Sequence, residues 1–149
     1  MGVNDLTIAV HALDDPEVQQ LLDELPWGVG DLTAAEFTPT DGMMLVASHR
    51  GAPTGCVGVR RLTSEVGEVK RLFVLPQAQR RGIARALLAE LEHAARALGY
   101  RELWLDTHAD EPAALFRSVG YDEIPAYTDH EWARYWFAKR LHAQTSAVS

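Results

Sequence analysis

Cysteine is nearly absent from this 149-residue chain: Cys56 stands alone, so no intrachain disulfide can form and a thiolate metal cage is excluded. Its setting, GCVGV, suits a buried strand residue better than a nucleophile, which needs an exposed, electropositive surrounding. Six histidines, at 11, 49, 93, 108, 130 and 142, form no HxxxH or HExxH pair, and no metal site is expected. No apolar run approaches the roughly 18 residues that suggest a membrane span, and the start of the chain lacks the basic-then-apolar order of a secretion signal. Leu6 stands where a myristoylation motif after Met1-Gly2 requires Ser or Thr. The expectation is a cytoplasmic protein with no membrane partner. The glycine-rich phosphate loops GxxxxGK and GxGxxG are also missing, which removes kinase-like and dinucleotide-oxidoreductase readings. A GxSxG elbow is absent too, since Ser118 follows Phe116 and Arg117 with no glycine two places before it, and a serine hydrolase is a poor fit.

Positive charge is missing from the first third. Residues 1 to 49 contain nine of the 21 acids and no Lys or Arg, whereas residues 50 to 149 carry all 14 bases. The net charge of −7 and the lack of a basic stripe disfavour nucleic acid as a partner. The acidic third is either a solvated helical face or a lure for cations.

What is present is enough apolar residue, 47%, for one compact domain and too little length for two of ordinary size. Thr7 to Val10 reads as a short strand. Asp14 or Asp15 then caps a helix with Pro16 in its first turn and Val18, Leu21, Leu22 and Leu25 on one face. A weaker helix is expected over Leu32 to Phe37. MMLVASH and CVGVRRL read as a hairpin joined by HRGAPTG, with EVKRLFVL as the next strand. From Ile83 to Leu98 apolar residues recur at three- and four-residue spacing, which predicts an amphipathic helix closed by Gly99. YRELWLDT is a strand, EPAALFRSVG a short helix, YDEI a strand, and WARYWFAKRL a final strand with its aromatics turned inward. This order predicts a mixed α/β sheet flanked by helices.

Between EVKRLFVL and the long helix lies QAQRRG. A helix begins with about four N–H groups that have no intrahelical partner, and its dipole adds roughly half a positive charge there. Gly82 would let a ligand approach the backbone, and Arg80, Arg81 and Arg85 add formal charge, so the loop suits a phosphate or pyrophosphate. A solvated surface turn is the alternative.

The consecutive block from Glu68 to Leu88, EVKRLFVLPQAQRRGIARALL, resembles the GNAT superfamily of acetyl-CoA-dependent N-acetyltransferases. In that family a strand ends in a Val-x-Pro step, as at Val74 to Pro76. A pyrophosphate loop comes next, matched by Gln79, Arg80, Arg81, Gly82, Ile83 and Ala84. A second family block, a short helix with Leu-Tyr ahead of a glycine and an aromatic residue, is echoed by EPAALFRSVGY, and the likeness covers about residues 43 to 141.

The resemblance implies a largely antiparallel mixed sheet with a splayed central strand pair, in a single domain over residues 1–141; the last residues, 142–149, HAQTSAVS, have no apolar face and are expected to fray. It implies acetyl-CoA as cosubstrate, no metal, and direct attack by a primary amine in a ternary complex. The acceptor would be a small cationic amine or a peptide N-terminus, and the protein a monomer or homodimer. A non-catalytic acyl-CoA-binding sensor or partner-binding module is the alternative. Leu72, Phe73 and Val74 would pair with the pantetheine arm, the amides of Arg81 to Arg85 would hold the pyrophosphate, and Phe116 would border the cofactor.

Glu68 is the expected base, directly or through water, with a structural ion pair to Lys70, Arg71 or Arg60 as the other reading. Trp27 and Tyr127 are the expected acceptor-binding residues, as aromatic walls of an anionic entrance. Two departures from the pattern bear on this. Phe116 replaces the tyrosine that protonates the departing thiolate, leaving Tyr121, Tyr127 or no dedicated acid; and Asp110 and Glu111 stand near the place of the helix-starting asparagine. The acceptor's identity and the length of the acyl chain stay open.

Overall fold

The computed structural model describes residues 5–24 and 41–142. The helix expected at Leu32–Phe37, Leu25, the tail beyond His142 and Trp27 lie outside them. The described strands are β1 (Leu6–His11), β2 (Met43–His49), β3 (Ala52–Arg61), β4 (Val66–Val74), β5 (Glu102–Thr107), β6 (Asp122–Glu123) and β7 (Tyr135–Arg140). The described α-helices are α1 (Pro16–Leu22), α2 (Ile83–Ala97) and α3 (Asp110–Ser118). The strands form one sheet in the order β1-β2-β3-β4-β5-β7-β6. Every pairing is antiparallel except that of β4 with β5. A parallel pair needs a crossover, and α2 supplies it.

Local chemistry explains the boundaries. Asp15 caps α1, its carboxylate accepting the Glu17 amide at 2.9 Å, with Pro16 at the first helical position. The β2–β3 turn is tighter than the sequence suggests: only Arg50 (φ 53°) and Gly51 (φ 86°) lie between the strands, two left-handed residues that match the twist of a hairpin. α2 runs from Ile83 to Ala97 and stops as expected, with Gly99 at φ 97°.

The two faces of the sheet carry different layers. Val57, Val59, Val69, Leu103, Leu105 and Phe137 pack with Leu87, Leu88 and Leu91 of α2 and with Phe116 of α3. On the opposite face Val18, Leu21 and Leu22 of α1 pack with Met44, Val46 and Cys56. Cys56 is fully buried, as its apolar setting predicts, and burial pushes its thiol up to about 12. The final strand departs from expectation. It begins at Tyr135, so Trp132 lies outside it and is 52% exposed, and strand alternation sends Phe137 into the α2 core while Trp136 points to the other face.

Candidate active site

The parallel pairing of β4 with β5 spans three partners, Val66↔Glu102, Gly67↔Leu103 and Glu68↔Trp104. Beyond Glu68 and Trp104 the strands part, and among the described residues the β5-facing edge of β4 has no strand beside it. A bulge adds to the divergence. Cys56 faces Phe73 and Gly58 faces Lys70, so Arg71 and Leu72 together oppose Val57, with Arg71 at φ 55°. Such an insertion bends a strand and re-aims its remaining residues, here Leu72, Phe73 and Val74. The Cys56 thiol reaches the Arg71 carbonyl at 3.5 Å.

Past β4 a short 3₁₀ turn, Pro76–Ala78, leads to the start of α2. The Gln79 side chain donates to the Val74 carbonyl at 3.1 Å and ties the loop to the strand end. Arg80 (φ 67°) and Gly82 (φ 81°) are both left-handed. Among the described residues no protein acceptor takes the amides of Arg80 to Arg85, and the helix cap has no side-chain bond. Arg80 and Arg81 are exposed and make no ion pair there, while Arg85 donates to the Ser118 hydroxyl of α3 at 2.9 Å. A Cβ added to Gly82 would meet nothing within 4 Å. Free amides, a dipole end and two free guanidinium groups thus converge at the open end of the split.

At the closed end sits Glu68, 3% exposed. Arg60 Nε donates to its Oε1 at 3.2 Å and the Tyr127 hydroxyl to its Oε2 at 2.6 Å. Of the ion-pair partners considered, Arg60 is the one joined to Glu68; Lys70 is buried close by on the same strand. Tyr127 packs edge-on against Trp104 at 5.1 Å between ring centroids, so it bridges β4 and β5 where they separate. Burial first, then the Glu68 charge, push its phenol well above the usual tyrosine range.

Two other residues are placed away from the split. Phe116 is a core residue, 3% exposed, packed between Tyr121 and Phe137. Tyr121 is equally buried, with a hydroxyl that has no partner among the described residues and a proton that burial holds firmly. Ala109, the residue before α3, caps the helix without a side-chain bond.

A helix–sheet crossover with a split parallel pair and an open amide loop is a known architecture. The acetyltransferase (GNAT) family model matches residues 10–121. The chain is a member of the GNAT acetyltransferase family. It is similar to the IAA acetyltransferase of Azospirillum brasilense, 36% identical over 130 residues, which cover 78% of this chain and 84% of that protein. Among solved structures it resembles a candidate acyl-CoA N-acyltransferase of Klebsiella pneumoniae, with TM-score 0.80 and 25% identity over 92% of this chain and 98% of the other. It also shares its fold with a GNAT acetyltransferase of Elizabethkingia anophelis that has acetyl-CoA bound, with TM-score 0.72 and 18% identity over 93% and 99%.

On this acetyltransferase the sequence did not disclose one cluster. Asp106 lies two residues beyond Trp104 on β5, with its side chain 3% exposed. Its Oδ2 accepts the Thr128 hydroxyl at 2.7 Å and the His130 Nδ1–H at 3.0 Å, while Trp136 Nε1 donates to Thr128 at 2.9 Å. Alternation of acid with Leu103 and Leu105 places Asp106 on the Glu68 face, but nothing local in sequence links it to residues 128–130. The structure also gathers His11, Asp15 and Glu17, whose ligand atoms lie within 4.8 Å of one another. Histidine spacing alone did not anticipate that group, because its companions are acids.

Proposed function

We propose that this acetyltransferase uses acetyl-CoA and passes the acetyl group to a primary amine by direct attack in a ternary complex. The observation that carries this reading is the run of unclaimed amides from Arg80 to Arg85 at the open end of the β4–β5 split. The diphosphate of the carrier lies on those amides, with Arg80 and Arg81 adding charge. Its extended arm then runs along the unpaired edge of Leu72, Phe73 and Val74, much as an added strand would. A backbone N–H near Phe73 or Val74 polarises the thioester carbonyl, a preorganised donor worth about 3 kcal/mol in the transition state. Gln79 serves by holding the loop, and Phe116 by supporting the core beneath it.

The thiolate leaves as the anion. Tyr121 and Tyr127 both hold their protons more tightly than a free phenol, so neither is a ready donor, and a thiol of cysteine-like acidity, about 8.5, departs without one. Tyr127 donates its proton to Glu68, which leaves its oxygen lone pairs to accept, and an ammonium in the split is a donor they can take.

Thermal unfolding tests the donor site: at a hundredfold excess over Kd, acetyl-CoA adds about 2.7 kcal/mol, or roughly 5–10 °C in Tm for a chain of this size. Thiol release with a panel of primary amines tests the transfer. No protection by acetyl-CoA would overturn the donor site. Protection with no acetylated product from any amine would favour the non-catalytic sensor instead.

A further inference from the structure

We propose that His130, held by Asp106, is the catalytic base that deprotonates the acceptor ammonium; this rests on the amine-acetylation reading above. Glu68 is poorly placed for that work. One oxygen carries Arg60 and the other Tyr127, so accepting a proton breaks an ion pair or displaces a charge-assisted bond. His130 has the opposite character.

Its tautomer is set by the donors around it. An ionised Asp106 can only accept. Thr128 receives the Trp136 N–H and so sends its own proton to Asp106, and His130 must likewise donate through Nδ1. That leaves Nε2 with a lone pair and, among the described residues, no protein partner. The ring stacks on Trp132 at 4.8 Å and 18°, which holds its plane. His130 is 39% exposed at the side chain, so an incoming ammonium can reach it. Asp106 sits on the wall of β5 beyond its last pairing with β4, on the face shared by Glu68, Trp104 and Tyr127, where an acceptor meets the thioester.

The step balances. Nε2 takes one ammonium proton, and the freed electron pair stays on nitrogen. Nitrogen then attacks the thioester carbon, the C–S bond breaks with its electrons on sulfur, and the new amide nitrogen sheds a second proton through water to the thiolate. His130 returns its proton to solvent. Among the described residues, the charged and titratable groups tied to the ring are Asp106 on β5, which it contacts, its chain neighbours Asp129 and Glu131, and His108, edge-on at 6.4 Å to the Trp132 ring on which His130 stacks. Asp106 and Thr128 are positioning residues.

The test compares the intact protein with its His130→Gln, His130→Ala and Asp106→Asn variants, using acetyl-CoA with spermidine, tyramine, tryptamine and a short peptide with a free N-terminus. For His130→Gln we expect kcat to fall about 10²–10⁴-fold, with acetyl-CoA affinity unchanged. The acidic limb of the kcat/KM profile, the signature of a base that must be unprotonated to act, should disappear in this variant. Added imidazole should restore part of the His130→Ala rate, and Asp106→Asn should lower kcat without changing the KM for acetyl-CoA. His130→Gln keeping its rate within about twofold, with the acidic limb intact, overturns the proposal. If the glutamine variant also loses acetyl-CoA binding, rescue of the alanine variant decides: restoration supports the role and its absence overturns it. An intact protein that binds acetyl-CoA but acetylates none of these amines overturns the acetylation reading and this inference together.

Discussion

Glu68 lies where the packing of the sheet meets the β4–β5 split. A charge on a central strand costs free energy unless it is paired and hydrogen-bonded, and Arg60 and Tyr127 meet that demand from the two neighbouring parts of the fold. Their substitutions should therefore separate. Glu68→Gln leaves Arg60, 18% exposed at its side chain, without this counter-ion. Arg60 keeps some solvent and other interactions, so the loss should fall on the order of 2–3 kcal/mol, below the 3–5 of a fully buried pair. Tyr127→Phe keeps the ion pair and removes one bond to a charged group, about 1.5 kcal/mol, while taking away the oxygen proposed to accept from the ammonium. Chemical denaturation should rank Glu68→Gln as the less stable, and amine kinetics should show Tyr127→Phe raising the acceptor KM. Equal stability losses with unchanged KM would mean that Tyr127 is structural alone.

In the loop between β4 and α2, backbone conformation bears directly on the proposed capture of acetyl-CoA. Gly82 holds φ 81° in open space, so alanine there meets no clash, only the left-handed penalty of about 1–2 kcal/mol. Gly82→Ala should lower Tm by a few degrees yet weaken acetyl-CoA by more than that strain predicts, because a methyl group would stand among the amides. Calorimetry alongside thermal melts checks this, and a loss of affinity no larger than the loss of stability would show that the loop needs glycine for its turn alone. Much of this arrangement is legible in the amino-acid order itself. The period change at Ile83, the cap at Gly99 and the amide-rich opening of α2 are local patterns, and local patterns survive folding. The bulge at Arg71 and Leu72 is not legible there, since it is a mismatch between two strands and appears only when both are in register. Trp132 and Trp136 misled for a related reason: their aromatic character suggests core, but the start of β7 and the strand's alternation decide which side of the sheet each meets. Asp106, Thr128 and His130 are joined only by tertiary contact.

Charge is arranged across the entire molecule, and here the fold resolves part of what the sequence left open. The base-free third draws cations from the rest of the chain: Asp5 binds Arg50 at 3.0 Å and Asp41 binds Arg61 at 3.0 Å, while His11 sits on Asp15 at 3.2 Å. Glu17 also approaches His11, at 4.0 Å, while Asp14, Asp23 and Glu24 remain around α1, on the same face of the sheet as Glu68, Trp104 and Asp106. A cationic acceptor approaching that face would feel their summed field, whereas the diphosphate of the proposed carrier would arrive at the arginine-bearing loop on the other end of the split. Exposed charges act over about 10 Å at 0.1 M salt and only about 3 Å at 1 M. Raising salt should therefore increase the KM for spermidine, which carries several charges, and leave that of a neutral aromatic amine nearly fixed, with kcat little changed in both. The comparison isolates the acceptor's charge because acetyl-CoA, held saturating, is common to both reactions. If the two KM values respond alike, the acids around α1 serve solubility, and selection of the amine rests on the aromatic and hydrogen-bonding groups at Trp104 and Tyr127.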